Sequence, residues 1–146
     1  MMWLDRVLSS PTTHALELTA QFAEQRHRVL VENIANLDTP GYRSRRLDER
    51  RFQRVLGEAL QRAHESGDRA LVLRGDAQFA TTPDGRLTTR PTAEGPDRVL
   101  FHDGTDARLE ELMSDLDDNA LLHSLSLRLL RGRFNSLMTA IRGRLG

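Results

Sequence analysis

Five histidines, His14, His27, His64, His102 and His123, are the side chains best suited to acid–base or metal chemistry in this sequence. No two stand at His-x-x-x-His or His-Glu-x-x-His spacing. Cysteine is absent, which excludes disulfide frameworks, thiolate metal sites and cysteine nucleophiles. Asp84-Gly85 and Asp103-Gly104 resemble fragments of calcium loops, but neither is followed by spaced oxygens and a closing Glu. There is no glycine-rich phosphate cradle and no Gly-x-Ser-x-Gly elbow. The expectation is a protein that is not an enzyme, with no catalytic residues, no metal site and no cofactor. His27 and His123 both fall on apolar helical stripes. Without further ligands, they read as half-buried polar residues that set helix register rather than as a metal pair.

Arginine offers the next chemistry. Arg43, Arg45, Arg46, Arg50, Arg51 and Arg54 fall within twelve residues, a density that could hold phosphate. Interleaved Asp48 and Glu49, and the lack of stacking aromatics beyond Phe52, favour a solvated or subunit-facing surface over nucleic acid. The 21 basic residues, all of them Arg, balance 21 acidic ones, so no net charge draws the chain to nucleic acid or an anionic membrane.

The third pattern is built from amides. Residues 31–42 read Val-Glu-Asn-Ile-Ala-Asn-Leu-Asp-Thr-Pro-Gly-Tyr. Asn33 and Asn36 are three apart and share one helix face. Amides are poor helix fillers because they compete for backbone hydrogen bonds. Pro40 disfavours helix at Thr39, and Gly41 supplies a turn. Two amides beside a Pro-Gly stop predict a helix end tied to other chain, with residues 39–42 turning the chain outward.

The elements that must position these residues follow from periodicity. Thr12 or Thr13 can cap a helix that continues to about Asn36. Its seam is Leu16, Ala20, Ala23, His27, Leu30, Ile34 and Leu37, at heptad steps of 4 and 3. Leu18, Phe22 and Val29 widen it on one flank. Before it, Trp3, Leu4, Val7 and Leu8 form a short amphipathic piece cut by Ser-Ser-Pro. Asp48 is a plausible cap for a second helix through about His64, with Phe52, Val55, Leu56, Ala59 and Leu60 on its apolar side. Residues 67–105 carry short β-type runs at 70–73, 78–82, 86–89 and 98–101, and Pro83-Asp84-Gly85 is a hairpin signal. One hairpin plus irregular chain is expected there, mobile until neighbours pack on it. Thr105 or Asp106 then opens a helix to about Arg142. Its seam is Leu109, Met113, Leu116, Ala120, His123, Leu127, Leu130, Phe134, Leu137 and Ile141. Leu112, Leu121, Leu122, Leu125, Leu129 and Met138 add a second apolar flank, more than one partner helix requires. Early acidic and late basic residues complement the helix dipole. Gly132 is its weak point.

The fold class expected is mainly α: long N- and C-terminal helices pair as an antiparallel coiled-coil-like hairpin, with a shorter helix and an irregular, β-hairpin middle. The chain divides into 1–42, 43–105 and 106–146. With 146 residues, 38% apolar and 5% aromatic, one compact core would be thin, and helices buried partly against neighbouring subunits fit better. The first eight residues lack a charged region followed by an apolar run, so no cleavable secretory signal is expected. No stretch approaches the roughly 18 apolar residues of a membrane span.

Residues 31–42 resemble the Asn-Ile-Ala-Asn…Thr-Pro-Gly-Tyr signature of bacterial flagellar rod and hook proteins, carried here by Asn33, Ile34, Ala35, Asn36, Thr39, Pro40, Gly41 and Tyr42. The C-terminal stretch looks like that of the basal-body rod proteins of the FlgB family, on Asn119, Leu129-Leu130, Arg133-Phe134, Leu137-Met138, Ala140-Ile141 and Gly143. Leu4-Asp5-Arg6 and the overall length also match. Two places depart. Gln78-Phe79 stands near where the family has a histidine, and Asp103-Gly-Thr-Asp-Ala-Arg replaces Asp-Gly-Asn-x-Val-Asp. The resemblance implies a structural subunit of the proximal rod in the periplasm, self- and co-assembling through its terminal helices into a drive shaft. It implies uncleaved passage through the flagellar type III export apparatus. The implied partners are other rod subunits, the ring-to-rod adapter and identical subunits in a helical assembly, with no nucleic acid and no membrane span. A stand-alone helical binding module, an export chaperone or regulator, is the alternative, and a nucleic-acid binder using the arginine run is a third reading.

Overall fold

The computed structural model describes residues 10–95 and 104–144. The amphipathic piece with Trp3 and Leu8, the run at 98–101, His102 and Asp103 lie outside the described residues.

Helix α1 spans Pro11–Ala35. Its cap is Ser10, earlier than the two threonines, because the Ser10 hydroxyl accepts from the Thr13 N–H at 3.2 Å and Pro11 fills the first turn. The helix ends at Asn36. A turn follows in which the Tyr42 N–H reaches Thr39 O at 3.2 Å, with Gly41 at φ +76°, the geometry of a type II turn. Helix α2, Glu49–Ser66, is capped by Asp48, whose side chain accepts from the Arg51 N–H at 3.1 Å. Gly67 at φ +75° closes it in a left-handed cap.

Among the described residues, four short strands form antiparallel pairs. Strand β1 is Arg45–Arg46, β2 Phe79–Thr81, β3 Leu87–Thr89 and β4 Thr92–Ala93. The β2–β3 pair is the expected hairpin, with Phe79 opposite Thr89 and Thr81 opposite Leu87. The β1–β4 pair, Arg45 opposite Ala93 and Arg46 opposite Thr92, was not legible from two-residue runs. Helix α3 spans Gly104–Arg144, 41 residues or roughly 62 Å of helix.

The core lies between α1, α2 and the middle of the chain. Phe22 of α1 stacks on Phe52 of α2 at 4.2 Å between ring centres and an interplanar angle of 4°. Phe79 of β2 meets both edge-on, at 5.7 and 5.4 Å. Leu18, Leu47, Leu71, Leu73 and Leu87 close around the three rings. Where the sequence predicted a middle stretch awaiting neighbours, the structure buries Leu71, Leu73, Phe79 and Leu87. Runs too short for a sheet still alternate with period two, which is enough to turn Leu71 and Leu73 inward while Val72 faces out.

Helices α1 and α3 pair antiparallel. Ser10 meets Arg133, Ala23 meets Asn119, and Arg26 meets Asp115. The face of α3 used in this pairing holds Arg108, Leu112, Asp115, Asn119, Leu122 and Ser126. That is one residue ahead of the predicted stripe, a rotation of about 100°. Of the predicted seam, Leu116, His123, Leu130, Leu137 and Ile141 are half-buried, while Leu109, Met113, Ala120, Leu127 and Phe134 are exposed. The reason is chemical: Asn119, Asp115 and Arg108 have partners inside the chain, and the leucines do not. On α1 the predicted flank of Leu18, Phe22 and Val29 is buried, together with Asn33. Ala20, Ala23 and Leu30 are also buried, Leu16 and Ile34 are half-buried, and His27 is exposed.

Candidate assembly site

Three polar ties hold the helix ends. The first is built on Asn33, which lies in the last full turn of α1 and is 2% exposed. Its Nδ2 donates to Arg45 O at 2.7 Å, and its Oδ1 accepts from the Arg45 N–H at 3.0 Å. The amide therefore stands in for a neighbouring strand along one edge of β1, while β4 occupies the other. The Tyr42 hydroxyl also donates to Asn33 Oδ1, at 3.1 Å. Burial, then the nearby Glu32 carboxylate, hold the Tyr42 phenol above its ordinary value, so it remains a donor. Glu32 pairs with the Arg45 guanidinium at 2.5 Å. Asn36 donates to Glu32 O at 2.9 Å and accepts from the Thr39 hydroxyl at 3.3 Å. The stretch 32–45 is thus a closed clasp: it ends the helix, turns the chain, and fixes β1.

The second tie is Gln78, also buried. Its Oε1 accepts from the Asp48 N–H at 3.1 Å, and its Nε2 donates to Arg46 O at 3.0 Å and Thr92 Oγ1 at 2.7 Å. One amide joins the start of α2 to both strands of the β1–β4 pair. The sequence marks this position only as a departure from histidine. Beside it, the Arg51 Nε donates to Asp76 Oδ2 at 2.6 Å, and Asp76 Oδ1 accepts from the N–H groups of Gln78 and Phe79. Burial alone would raise the Asp76 carboxyl. The Arg51 hydrogen bond and the two backbone donors outweigh it and hold the group below its ordinary 3.8. A depressed carboxylate adds stability that is complete above the unfolded value and disappears as pH falls through the folded one. Asp76→Asn should therefore lose about 1.5–3 kcal/mol at neutral pH. In urea titrations its deficit against wild type should shrink steadily below about pH 4; a deficit that is constant with pH would assign the loss to packing.

The third tie joins α1 to α3. Asn119 donates to Ala23 O at 2.7 Å, while its Oδ1 is buried with no partner. Arg26 bridges Glu49 of α2 at 2.9 Å and Asp115 of α3 at 3.3 Å. Arg108 pairs with Glu94 and with Glu111. These groups line a polar cleft of about 140 Å³ between α1, α3 and β1. Arg26 and Arg108 are each held by two carboxylates, so the cleft ties the helix pair together.

His27 and His123 are not brought together. The register of α1 and α3 sets His123 about two turns from His27. His14 instead has a structural place that its position in the sequence did not signal. The Leu71 N–H donates to Nδ1 at 2.8 Å, so the proton sits on Nε2, which donates to Gly85 O at 2.7 Å. Among the described residues, no three His, Asp or Glu side chains are grouped to hold a metal ion.

What remains outside is apolar. Leu121, Leu125, Leu127, Leu129, Phe134 and Met138 are exposed along α3, Leu121 at 69%. Leu121, Leu125 and Leu129 form one stripe and Leu127, Phe134 and Met138 another, one on each side of the face that packs on α1. A monomer rarely displays so much apolar surface on one helix without a use for it.

The chain is 31% identical over 130 residues to the flagellar basal body rod protein FlgB of Escherichia coli (strain K12), covering 87% of each. It is 34% identical over 121 residues to the FlgB of Cereibacter sphaeroides (strain ATCC 17023), covering 82% of this chain and 85% of the relative. The chain belongs to the FlgB family of flagellar basal body rod proteins. The FlgB of Bacillus subtilis (strain 168) is more distant, at 26% over 136 residues, but the match covers 97% of that protein. No protein-family model matches the chain. Each of these relatives is a flagellar basal body rod protein by name. Among the described residues, no helix is long and apolar enough to cross a membrane.

Proposed function

We propose that this chain is a structural subunit of the proximal rod, assembling through the outward faces of its terminal helices to build the shaft that transmits motor torque. The observation that carries this reading is the exposed leucine face of α3, set on a helix whose other face is locked to α1 by polar ties. Burial of such a face against another subunit is worth about 25 cal/mol per Å². In this reading residues 1–42 and 106–146 are the two halves of the rod core, and 43–105 is the variable middle. The clasp of Asn33, Asn36 and residues 39–42 fixes where the middle leaves the core. Identical subunits, other rod subunits and the ring-to-rod adapter are the partners. The chain reaches the periplasm through the flagellar type III export apparatus without losing a signal peptide, and binds no nucleic acid.

Mass spectrometry of detergent-resistant hook–basal bodies from the source cell tests the reading. The chain should be present in fixed ratio to other rod subunits. Its absence from intact basal bodies, with the protein confined to the cytoplasm, would overturn the structural role in favour of an export chaperone or regulator.

A further inference from the structure

The arginine run at the start of α2 has no task in the rod reading so far. Arg45 is paired with Glu32, and Arg51 with Asp76. Arg50 and Arg54, one turn apart on the outer face of α2, are exposed and meet no carboxylate. Gly57 continues their stripe one further turn. A side chain there would meet nothing within 4 Å, and the residue does not adopt a positive φ. Neither packing within the chain nor backbone geometry asks for glycine, although glycine weakens a helix interior. Its absence of side chain leaves room for close approach from outside.

The first half of α3 displays the complement. Asp106, Glu110 and Asp117 are exposed without ion pairs, and lie on one stripe with Met113 between them and Leu121 after them. We propose that the Arg50, Arg54 and Gly57 stripe of α2 docks on the Asp106, Glu110, Met113 and Asp117 stripe of α3 in a second copy of this chain. Opposite charges meet across the contact, and an apolar side chain of α3 has the open space at Gly57 to enter. Glu58, next along α2, ends the basic stripe and sets its length. The contact joins different surfaces of two identical chains, so a docked pair keeps one unsatisfied stripe of each sign, the acidic one on the first copy and the basic one on the second. Such heterologous contacts extend an assembly instead of closing a dimer. The proposal rests on the assembly reading and names the surface that α3 meets.

Sedimentation velocity of the full chain tests it. Wild type should self-associate at low ionic strength and dissociate as salt shortens the screening length to about 3–4 Å. Arg50→Glu/Arg54→Glu should weaken association about tenfold, and Glu110→Arg/Asp117→Arg should do the same. Mixing the two reversed proteins should restore association, which damage to either fold would not. Thermal melts of each variant should match wild type, because all four positions are exposed. A wild type that stays monomeric at low salt, reversed variants that associate like wild type, or a mixture that does not recover would each overturn the proposal. Normal incorporation of the Arg50→Glu/Arg54→Glu chain into basal bodies would sink the docking surface and leave the rod reading standing. Absence of even the wild-type chain from basal bodies would sink the reading itself.

Discussion

Asn33→Ala should destabilise the protein by about 2–4 kcal/mol, seen as a fall of several degrees to about 10 °C in the thermal midpoint. The side chain is nearly sealed from water and makes three hydrogen bonds, two of them to the backbone of a single residue, Arg45. Removing it strips the N–H and C=O of Arg45 of their partners on that edge, and leaves the Tyr42 hydroxyl without its acceptor. β1 has only two residues and one paired strand, so nothing else on that side can take over. Asn33→Asp gives a sharper test, because it keeps the acceptor and loses the donor. A carboxylate would face Arg45 O, with Glu32 close by, and the charged form would be disfavoured. The new carboxyl should therefore titrate above the ordinary range. The acid form can donate to Arg45 O, so its stability is present at low pH and lost as pH rises through the folded value. Asn33→Asp should resemble Asn33→Ala at pH 7 and approach wild type as pH falls towards about 4, measured as the difference in urea midpoint at each pH. A gap that does not narrow would mean that the donor to Arg45 O contributes little, and that the clasp works through the bonds Oδ1 accepts from the Arg45 N–H and the Tyr42 hydroxyl.

The clasp shows what a sequence can and cannot disclose. Asn33, Asn36, Pro40 and Gly41 announce a tied helix end, because amides and a Pro-Gly stop have few other uses in such a place. They do not disclose that the tie runs to Arg45, since a side chain standing in for a strand leaves no periodicity to read. Gln78 is a harder case: its three partners come from residues 46, 48 and 92, distant in sequence and without pattern. The length of both terminal helices is legible from sustained 4–3 spacing, and so is the hairpin at Gly85. The side of α3 that faces α1 is not. A heptad of leucines predicts an apolar seam, but within the chain the contact goes to Arg108, Asp115 and Asn119. The pattern rule assumes that a helix has one partner. Here the contact within the chain is made by polar positions, and the apolar stripes are left outside. A buried Asn on a helix seam fixes register at some cost in stability, and Asn119, with an unpartnered oxygen, bears that cost here.

Leu121→Asp/Leu125→Asp should leave the isolated chain folded and abolish rod assembly. Both residues are exposed, at 69% and 51%, so the expected loss of stability is only the weaker helix propensity of Asp, about 0.5 kcal/mol at each site. Leu112→Asp is the necessary contrast. That residue is 1% exposed between α1 and α3, and a carboxylate there should cost about 4 kcal/mol or more, detaching α3 from α1. Both variants should fail to restore motility to cells lacking the wild-type chain, but for different reasons that circular dichroism separates. The outer variant should melt within a few degrees of wild type, while the inner one should lose much of its helix cooperativity. The pair therefore asks whether the leucines of α3 serve the fold or the assembly. If the outer variant swims normally, the Leu121 and Leu125 stripe is not the face on which subunits meet. If it fails to swim while its melt is unchanged, the two faces of α3 have separate duties, the polar one holding the chain together and the apolar one holding the rod together.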